Sequence, residues 1–149
     1  MGAVSYPDPK VASFITKKMI PLQVLSDNPL AAEFNVTWTP TLIVLDTDGK
    51  EHYRTVGFLP PEELIPSLLL GMAKVDFDQE RFTDAMAKLD TLLKEYPGSD
   101  AAPEAVFILG VCGYKSSHDP KPLKDAYERL NAEYPSSKWT KRAHPYSLL

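Results

Sequence analysis

A predicted β-hairpin constrains the fold more than any other part of this chain. An apolar run, Thr41 to Leu45, begins directly after Pro40, and a second β-rich run, Glu51 to Val56, follows a turn that contains Gly49. Gly49 can take the positive φ angle that a tight turn needs. A proline has no amide to donate to a sheet ladder, so Pro40 just before a buried strand needs a structural reason. One such reason is a cis Thr39-Pro40 bond, which is rare in folded proteins.

The elements around the hairpin have their own start signals. Asp8-Pro9 and Asn28-Pro29 each place a capping side chain before a proline at the first helical position. They predict helices over 9–18 and 29–34, with a short strand over 20–25 between them. Pro60-Pro61 opens a third helix, over about 62–75.

This order of elements resembles the second half of a thioredoxin-like domain, from the helix after its active-site strand onward. The resemblance is carried by the stretch Val-Thr-Trp-Thr-Pro-Thr-Leu-Ile-Val-Leu-Asp-Thr-Asp-Gly-Lys-Glu and the later Gly57-Phe58. It covers residues 1–73 and implies an N-terminally truncated thioredoxin-like domain, a partial α/β sandwich. In that fold the loop before the hairpin can present a backbone edge to an extended peptide, which makes Trp38, Thr39 and Pro40 peptide-binding candidates. The alternative is a purely architectural role for Pro40.

The resemblance also implies what is missing at the N-terminus. In similar proteins a Cys-x-x-Cys pair is followed by a short pattern that Met1, Ser5, Tyr6, Asp8, Pro9 and Val11 fit. By that register the chain begins just past the second cysteine, without the central active-site strand. Two explanations stay open: an internal methionine taken as the start, or a natural half-domain with a non-redox role. Because the missing strand would leave a sheet edge exposed, we expect a homodimer or strand-swapped assembly.

The single cysteine, Cys112, excludes any Cys-x-x-Cys pair. Disulfide exchange needs a thiolate nucleophile and a second thiol to resolve the mixed disulfide, so we expect this chain to be inactive in dithiol exchange. Cys112 itself lies on an apolar helix face, where a thiol behaves as a small core residue.

The second half, 74–149, has uninterrupted helical periodicity and an internal repeat. The pattern Leu-x-x-x-Tyr-Pro-x-Ser-x-x-x-x-x-Ala occurs twice, 38 residues apart (130 − 92), first at Leu92, Tyr96, Pro97, Ser99 and Ala105, and again at Leu130, Tyr134, Pro135, Ser137 and Ala143. It resembles tetratricopeptide-like helical repeats, whose period is about 34 residues. Such repeats stack side by side, so the helix over about 62–75 is expected to serve both halves. Asp78 is the expected cap of the next helix, and a loop is expected over 115–119.

Composition narrows the remaining classes of function. The net charge of −4 gives no basic surface for nucleic acid, and no apolar run approaches the roughly 18 residues of a membrane span. We expect no metal site, because His52, His118 and His144 are scattered. We also expect no cofactor and no catalytic residue, because the chain has no nucleophile elbow, phosphate loop or carboxylate pair. As given, the chain has the composition of a soluble cytoplasmic protein, although a longer parent protein could be exported.

Two functions from different classes follow. The first is the C-terminal portion of a thiol-disulfide oxidoreductase-like protein, in which the repeats recruit a client. The second is a non-catalytic adaptor that binds a protein or peptide partner on the repeat face, through Phe107, Tyr114 and Tyr127.

Overall fold

The computed structural model describes residues 1–149 and contains a small sheet and a series of helices. In chain order the elements are α1 (Pro9–Lys18), α2 (Pro29–Glu33), β1 (Thr41–Leu45), β2 (Glu51–Val56), α3 (Pro61–Asp78), α4 (Phe82–Glu95), α5 (Ala102–Ser117), α6 (Lys121–Glu133), α7 (Lys138–Ala143) and a 3-10 helix (His144–Leu148). The predicted order of an α/β part followed by an all-α part is confirmed. No helix is both long and apolar enough to cross a membrane.

Helix α3 is the central element of the fold. It contacts the hairpin, α1, α4 and α5, and every residue from Leu64 to Gly71 is buried. A helix that is apolar on nearly all sides has to be covered on all sides. The hairpin covers one side and α4 and α5 cover others, so α3 crosses the expected boundary at residue 73 and belongs to both parts.

The two strands form an antiparallel sheet that packs one face on α3. Leu42, Val44 and Tyr53 are half-buried against the core, and the Tyr53 hydroxyl shares a 2.8 Å hydrogen bond with Ser67 Oγ. A Cβ on Gly71 would lie 2.7 Å from Tyr53 Cδ1, so a glycine lets the sheet approach the helix this closely. An isolated hairpin is only marginally stable in water, and its docking on α3 therefore stabilises it.

A β-bulge changes the direction of side chains in β2. Val44 pairs with Tyr53 and Leu45 pairs with Glu51, which leaves His52 as the extra residue. Consequently His52 and Tyr53 both turn towards α3, where they meet Asp78 and Ser67. Glu51 and Arg54 meet each other instead, through a bidentate ion pair of 2.6 and 2.7 Å.

The start signals of the first two helices are confirmed. Asp8 Oδ1 accepts hydrogen bonds from the amides of Lys10 and Val11, and Asn28 Oδ1 accepts one from the amide of Leu30. In both helices a proline follows the cap, at a position where its missing amide costs nothing.

The predicted strand over 20–25 is wrong. Residues 20–25 form neither helix nor strand, and Ile20 and Leu22 are 97% and 76% exposed. A strand is held by the ladder to its neighbour, and the sheet here has only β1 and β2. This stretch has no strand to pair with.

The two copies of the internal repeat end their first helix in the same way. Helices α4 and α6 end at Tyr96 (φ −132°, ψ 49°) and Tyr134 (φ −134°, ψ 53°). In each copy the amide of the repeat's serine donates to the tyrosine carbonyl, at 3.1 and 3.0 Å. The leucine and alanine positions, Leu92, Leu130, Ala105 and Ala143, are all fully buried. The repeat therefore specifies the same helix end twice, although the next helix starts six residues after Tyr96 (102 − 96) and four residues after Tyr134 (138 − 134).

Two further predictions are corrected. Asp78 does not cap the helix that follows; it is the last residue of α3, and α4 begins after Arg81 without a side-chain cap. Helix α5 continues to Ser117, so the loop expected over 115–119 is shorter, and His118 ends the helix in the left-handed conformation (φ 59°).

Candidate functional site

The hairpin leaves the edge of β1 unpaired. The Gly57 amide donates to the Pro40 carbonyl at 2.8 Å, so the hydrogen-bonded pairs of the ladder are Leu42–Thr55 and Val44–Tyr53. Backbone groups alternate in direction along a strand, so Thr41, Ile43 and Leu45 point their N–H and C=O groups away from β2. No other backbone segment pairs with these groups. An edge of this kind is a template for another strand.

The expected peptide-binding residues Trp38, Thr39 and Pro40 lie at the start of this edge. Trp38 is 69% exposed, Thr39 is exposed and Pro40 is half-buried. The Thr39-Pro40 peptide bond is cis. Thr41 Oγ1 donates to the Trp38 carbonyl at 2.6 Å and holds this loop against the strand.

Exposed apolar side chains are concentrated in the same part of the chain. Of the fourteen exposed large hydrophobic residues, eleven precede residue 59, among them Ile20, Leu22, Leu25, Trp38 and Phe58. Single exposed apolar residues are ordinary, but this concentration is typical of a surface that another protein segment covers.

The three aromatic residues expected on the repeat face are differently placed. Phe107 packs on Trp139 and Tyr146, with ring centres 5.1 and 5.9 Å away, and is half-buried. Tyr127 meets the edge of His144 at 5.9 Å. The C-terminal residues thus cover both rings. Only Tyr114 is exposed, at 38%, and Tyr127, like Phe107, is half-buried.

A groove with a volume of about 600 Å³ lies between β2 and α7. One wall is the stretch Glu51–Thr55 and the other is α7, with α3 and α5 between them. Its principal charged and aromatic side chains are Glu51, Arg54, Lys74, Glu104, Lys138, Trp139 and Arg142. Sequence reasoning missed this groove, because its walls come from the two halves of the chain.

The charges in this groove are unevenly paired. Arg54 pairs with Glu51, and Lys74 pairs with Glu104. Lys138 and Arg142 have no carboxylate partner; they lie 5.7 and 4.8 Å from the centre of the Trp139 ring. The wall formed by α7 is therefore positive, although the chain as a whole carries a net charge of −4.

His52 joins the hairpin turn to the end of α3. Its Nε2 lies 2.7 Å from Asp46 Oδ2 and its Nδ1 lies 2.6 Å from Asp78 Oδ2, so both ring nitrogens face carboxylates. These hydrogen bonds, first that of Asp78 and then that of Asp46, raise the pKa of His52. The same His52 contact, with the Lys50 amide, lowers the pKa of Asp46 to about 2. No residue spacing predicts this cluster, because Asp78 comes from the end of a distant helix.

Cys112 is fully buried in the core, as predicted. Burial raises the pKa of its thiol to about 11, which leaves little thiolate at neutral pH. No group of histidine, cysteine, aspartate and glutamate side chains is arranged to hold a metal ion.

Comparison with known families gives a match to one region of the chain. Residues 4–70 match the profile of the family described as thioredoxin-like domain. The chain therefore contains a thioredoxin-like domain, which takes in α1, α2, the hairpin and the first half of α3. Neither the curated proteins nor the solved structures gave a match.

Proposed function

We propose that this chain is the C-terminal portion of a thioredoxin-like thiol-disulfide protein, joined to a helical module that binds a protein partner. The observation that carries the proposal is the unpaired edge of β1, with Thr41, Ile43 and Leu45 directed outwards. In a thioredoxin-like domain the central active-site strand occupies this place. A strand paired to β1 would complete the sheet.

The irregular stretch over 20–25 supports the same proposal. It carries the residues that the resemblance assigns to a further strand, yet Ile20, Leu22 and Leu25 are exposed. A strand added at β1 would supply the missing neighbour and cover apolar surface, at roughly 25 cal/mol per Å².

The dithiol chemistry of such an assembly would come from the added segment. Cys112 is the single cysteine, and it is buried and held as a thiol. We therefore propose that the chain as it stands is inactive in dithiol exchange. An insulin-reduction assay on the purified chain should show no rate above the uncatalysed reaction.

The direct test of the parent protein is the genomic DNA that precedes Met1. Translated in frame, it should encode Trp-Cys-x-x-Cys preceded by a β-rich run. An in-frame stop codon directly upstream would overturn the proposal. A longer protein carrying this segment should reduce insulin, and it should lose that activity when either cysteine of the pair is replaced by serine.

We propose further that residues 74–149 form a tetratricopeptide-like array in which α3 is the first helix. The support is the matching helix end at Tyr96 and Tyr134. In addition, the Tyr134 hydroxyl donates to the Pro97 carbonyl at 2.7 Å and ties one corner to the next. Helices that stack with a repeated corner form an extended surface for partners.

The second candidate function is a non-catalytic adaptor. The observation that favours it is the groove between β2 and α7, where unpaired positive charge and an aromatic ring are accessible. This function needs no thiol, and a blank insulin assay is compatible with it. The two candidates differ in the upstream DNA and in what the groove binds.

A further inference from the structure

We propose that the groove between β2 and α7 binds an extended acidic peptide of a partner protein, which pairs with the free edge of β2. The proposal gives the adaptor function its ligand and rests on that function. It involves a different edge of the sheet from the β1 edge, so it does not depend on strand completion there.

The backbone of β2 supplies the first half of the site. Because Val44–Tyr53 and Leu42–Thr55 are hydrogen-bonded pairs of the ladder, Arg54 and Val56 direct their N–H and C=O groups away from β1. No other segment of the chain accepts or donates to these groups. Five consecutive residues of β2 line the groove, as expected where a strand presents its edge and not one face. An extended peptide can add to such an edge through main-chain hydrogen bonds.

Helix α7 supplies the second half. Lys138 and Arg142 are exposed and lie near the Trp139 ring, and no carboxylate of the chain neutralises them. The groove carries Arg54, Lys74, Lys138 and Arg142 against two glutamates, a local excess of positive charge on an acidic chain. Charge complementarity therefore selects an acidic ligand.

The same features favour a peptide over a nucleic acid. A nucleic acid would engage several basic side chains along its phosphates, and a chain with a net charge of −4 would repel it outside this groove. The alternating N–H and C=O groups of a strand edge, in contrast, are complementary to another polypeptide backbone. The Trp139 ring can pack on an apolar side chain that lies between two acidic residues of the peptide.

Fluorescence of Trp139 gives a direct assay. In the Trp38→Phe background Trp139 is the sole tryptophan. The probe is a blocked peptide of about six alternating valines and glutamates, the length of a typical strand. We expect a saturable change in emission that weakens as salt is added, because exposed charges are screened.

Variants separate charge recognition from a general effect. Replacing both Lys138 and Arg142 by glutamine should weaken binding by about two- to thirtyfold, because two exposed charge pairs are lost. The matched control is Lys141→Gln, which removes a positive charge from the same helix outside the groove and should leave affinity unchanged. Far-ultraviolet circular dichroism verifies that each variant is folded.

Two further probes test the strand edge. The amides of Arg54 and Val56 should gain protection from hydrogen exchange when the peptide binds, and a peptide methylated on alternate backbone nitrogens should bind more weakly. A valine–lysine peptide of the same length should not bind.

Any of four results would overturn the inference: equal affinity for the lysine peptide, unchanged affinity in the double glutamine variant, equal affinity for the methylated peptide, or preference for an oligothymidylate. The strand-completion proposal is judged separately, because a variant with a blocked β1 edge, Ile43→Pro, should retain the peptide affinity.

Discussion

Replacement of Gly71 by alanine tests how the thioredoxin-like sheet is joined to the helices. The Cβ of the new residue would lie 2.7 Å from Tyr53 Cδ1 and 2.8 Å from Val44 Cγ2, well inside normal contact. The Tyr53 ring cannot turn away freely, because its hydroxyl is bonded to Ser67 and Lys74 lies 5.1 Å from its centre. The sheet itself has to move.

Two opposing terms set the magnitude. Alanine is better than glycine inside a helix by about 1 kcal/mol. Overpacking of a close contact costs about 1–3 kcal/mol. We expect a net loss of up to about 2 kcal/mol in the free energy of unfolding.

Urea unfolding followed by circular dichroism measures this change. Gly98→Ala is the matched control, since a Cβ at Gly98 meets no atom within 4 Å. Combining Gly71→Ala with Val44→Ala should recover part of the loss, with a coupling energy of at least about 0.5 kcal/mol. If Gly71→Ala stabilised the protein, helix propensity would outweigh the contact and the reasoning would fail.

Three other predictions follow from single contacts. Asp76→Ala should lower the free energy of unfolding by about 1–3 kcal/mol, because a buried carboxylate at the end of α3 accepts from Arg81 Nε at 3.1 Å and also binds a lysine of α4. His52 stabilises the fold while it is protonated: its contribution is complete below its ordinary pKa of 6.5 and is lost as pH rises through its raised pKa, so His52→Gln should flatten that decline. Cys112 should not react with a thiol reagent at neutral pH until urea unfolds the chain.

The Asp76 prediction has a matched control, and the other two have outcomes that would contradict them. Asp90→Ala removes an exposed aspartate of α4 that forms no ion pair, and should change stability little. On the acid side, the stabilisation by Asp46 is complete above its ordinary pKa of 3.8 and is lost as pH falls through its lowered pKa of about 2. The free energy of unfolding should therefore be constant between pH 3.8 and pH 6.5. A plateau that extended unchanged to alkaline pH would contradict the role of His52, and labelling of native Cys112 would contradict its burial.

Local signals in the sequence were sufficient for the elements that depend on neighbouring residues. The bounds of α1, β1 and β2 agree with the prediction, because a cap followed by proline and a turn with glycine act within a few residues. The repeated corners were visible for the same reason.

Elements that depend on a distant partner could not be predicted in this way. The stretch over 20–25 has a strand-like sequence, yet a strand needs a neighbour that this chain does not provide. Asp78 looked like a cap, although the length of α3 places it beside His52 instead. The groove was missed because β2 and α7 lie some eighty residues apart (138 − 56 = 82) and no local pattern joins them.

Light scattering during size-exclusion chromatography tests the open edge of β1 most directly. At high concentration the chain should elute with the mass of a dimer, in which two β1 edges pair. Ile43→Pro should elute as a monomer with unchanged helix content, because residue 43 points its amide away from β2 and the change removes no hydrogen bond of the β1–β2 ladder. A wild-type chain that stays monomeric at high concentration, or a proline variant that still dimerises, would contradict the account.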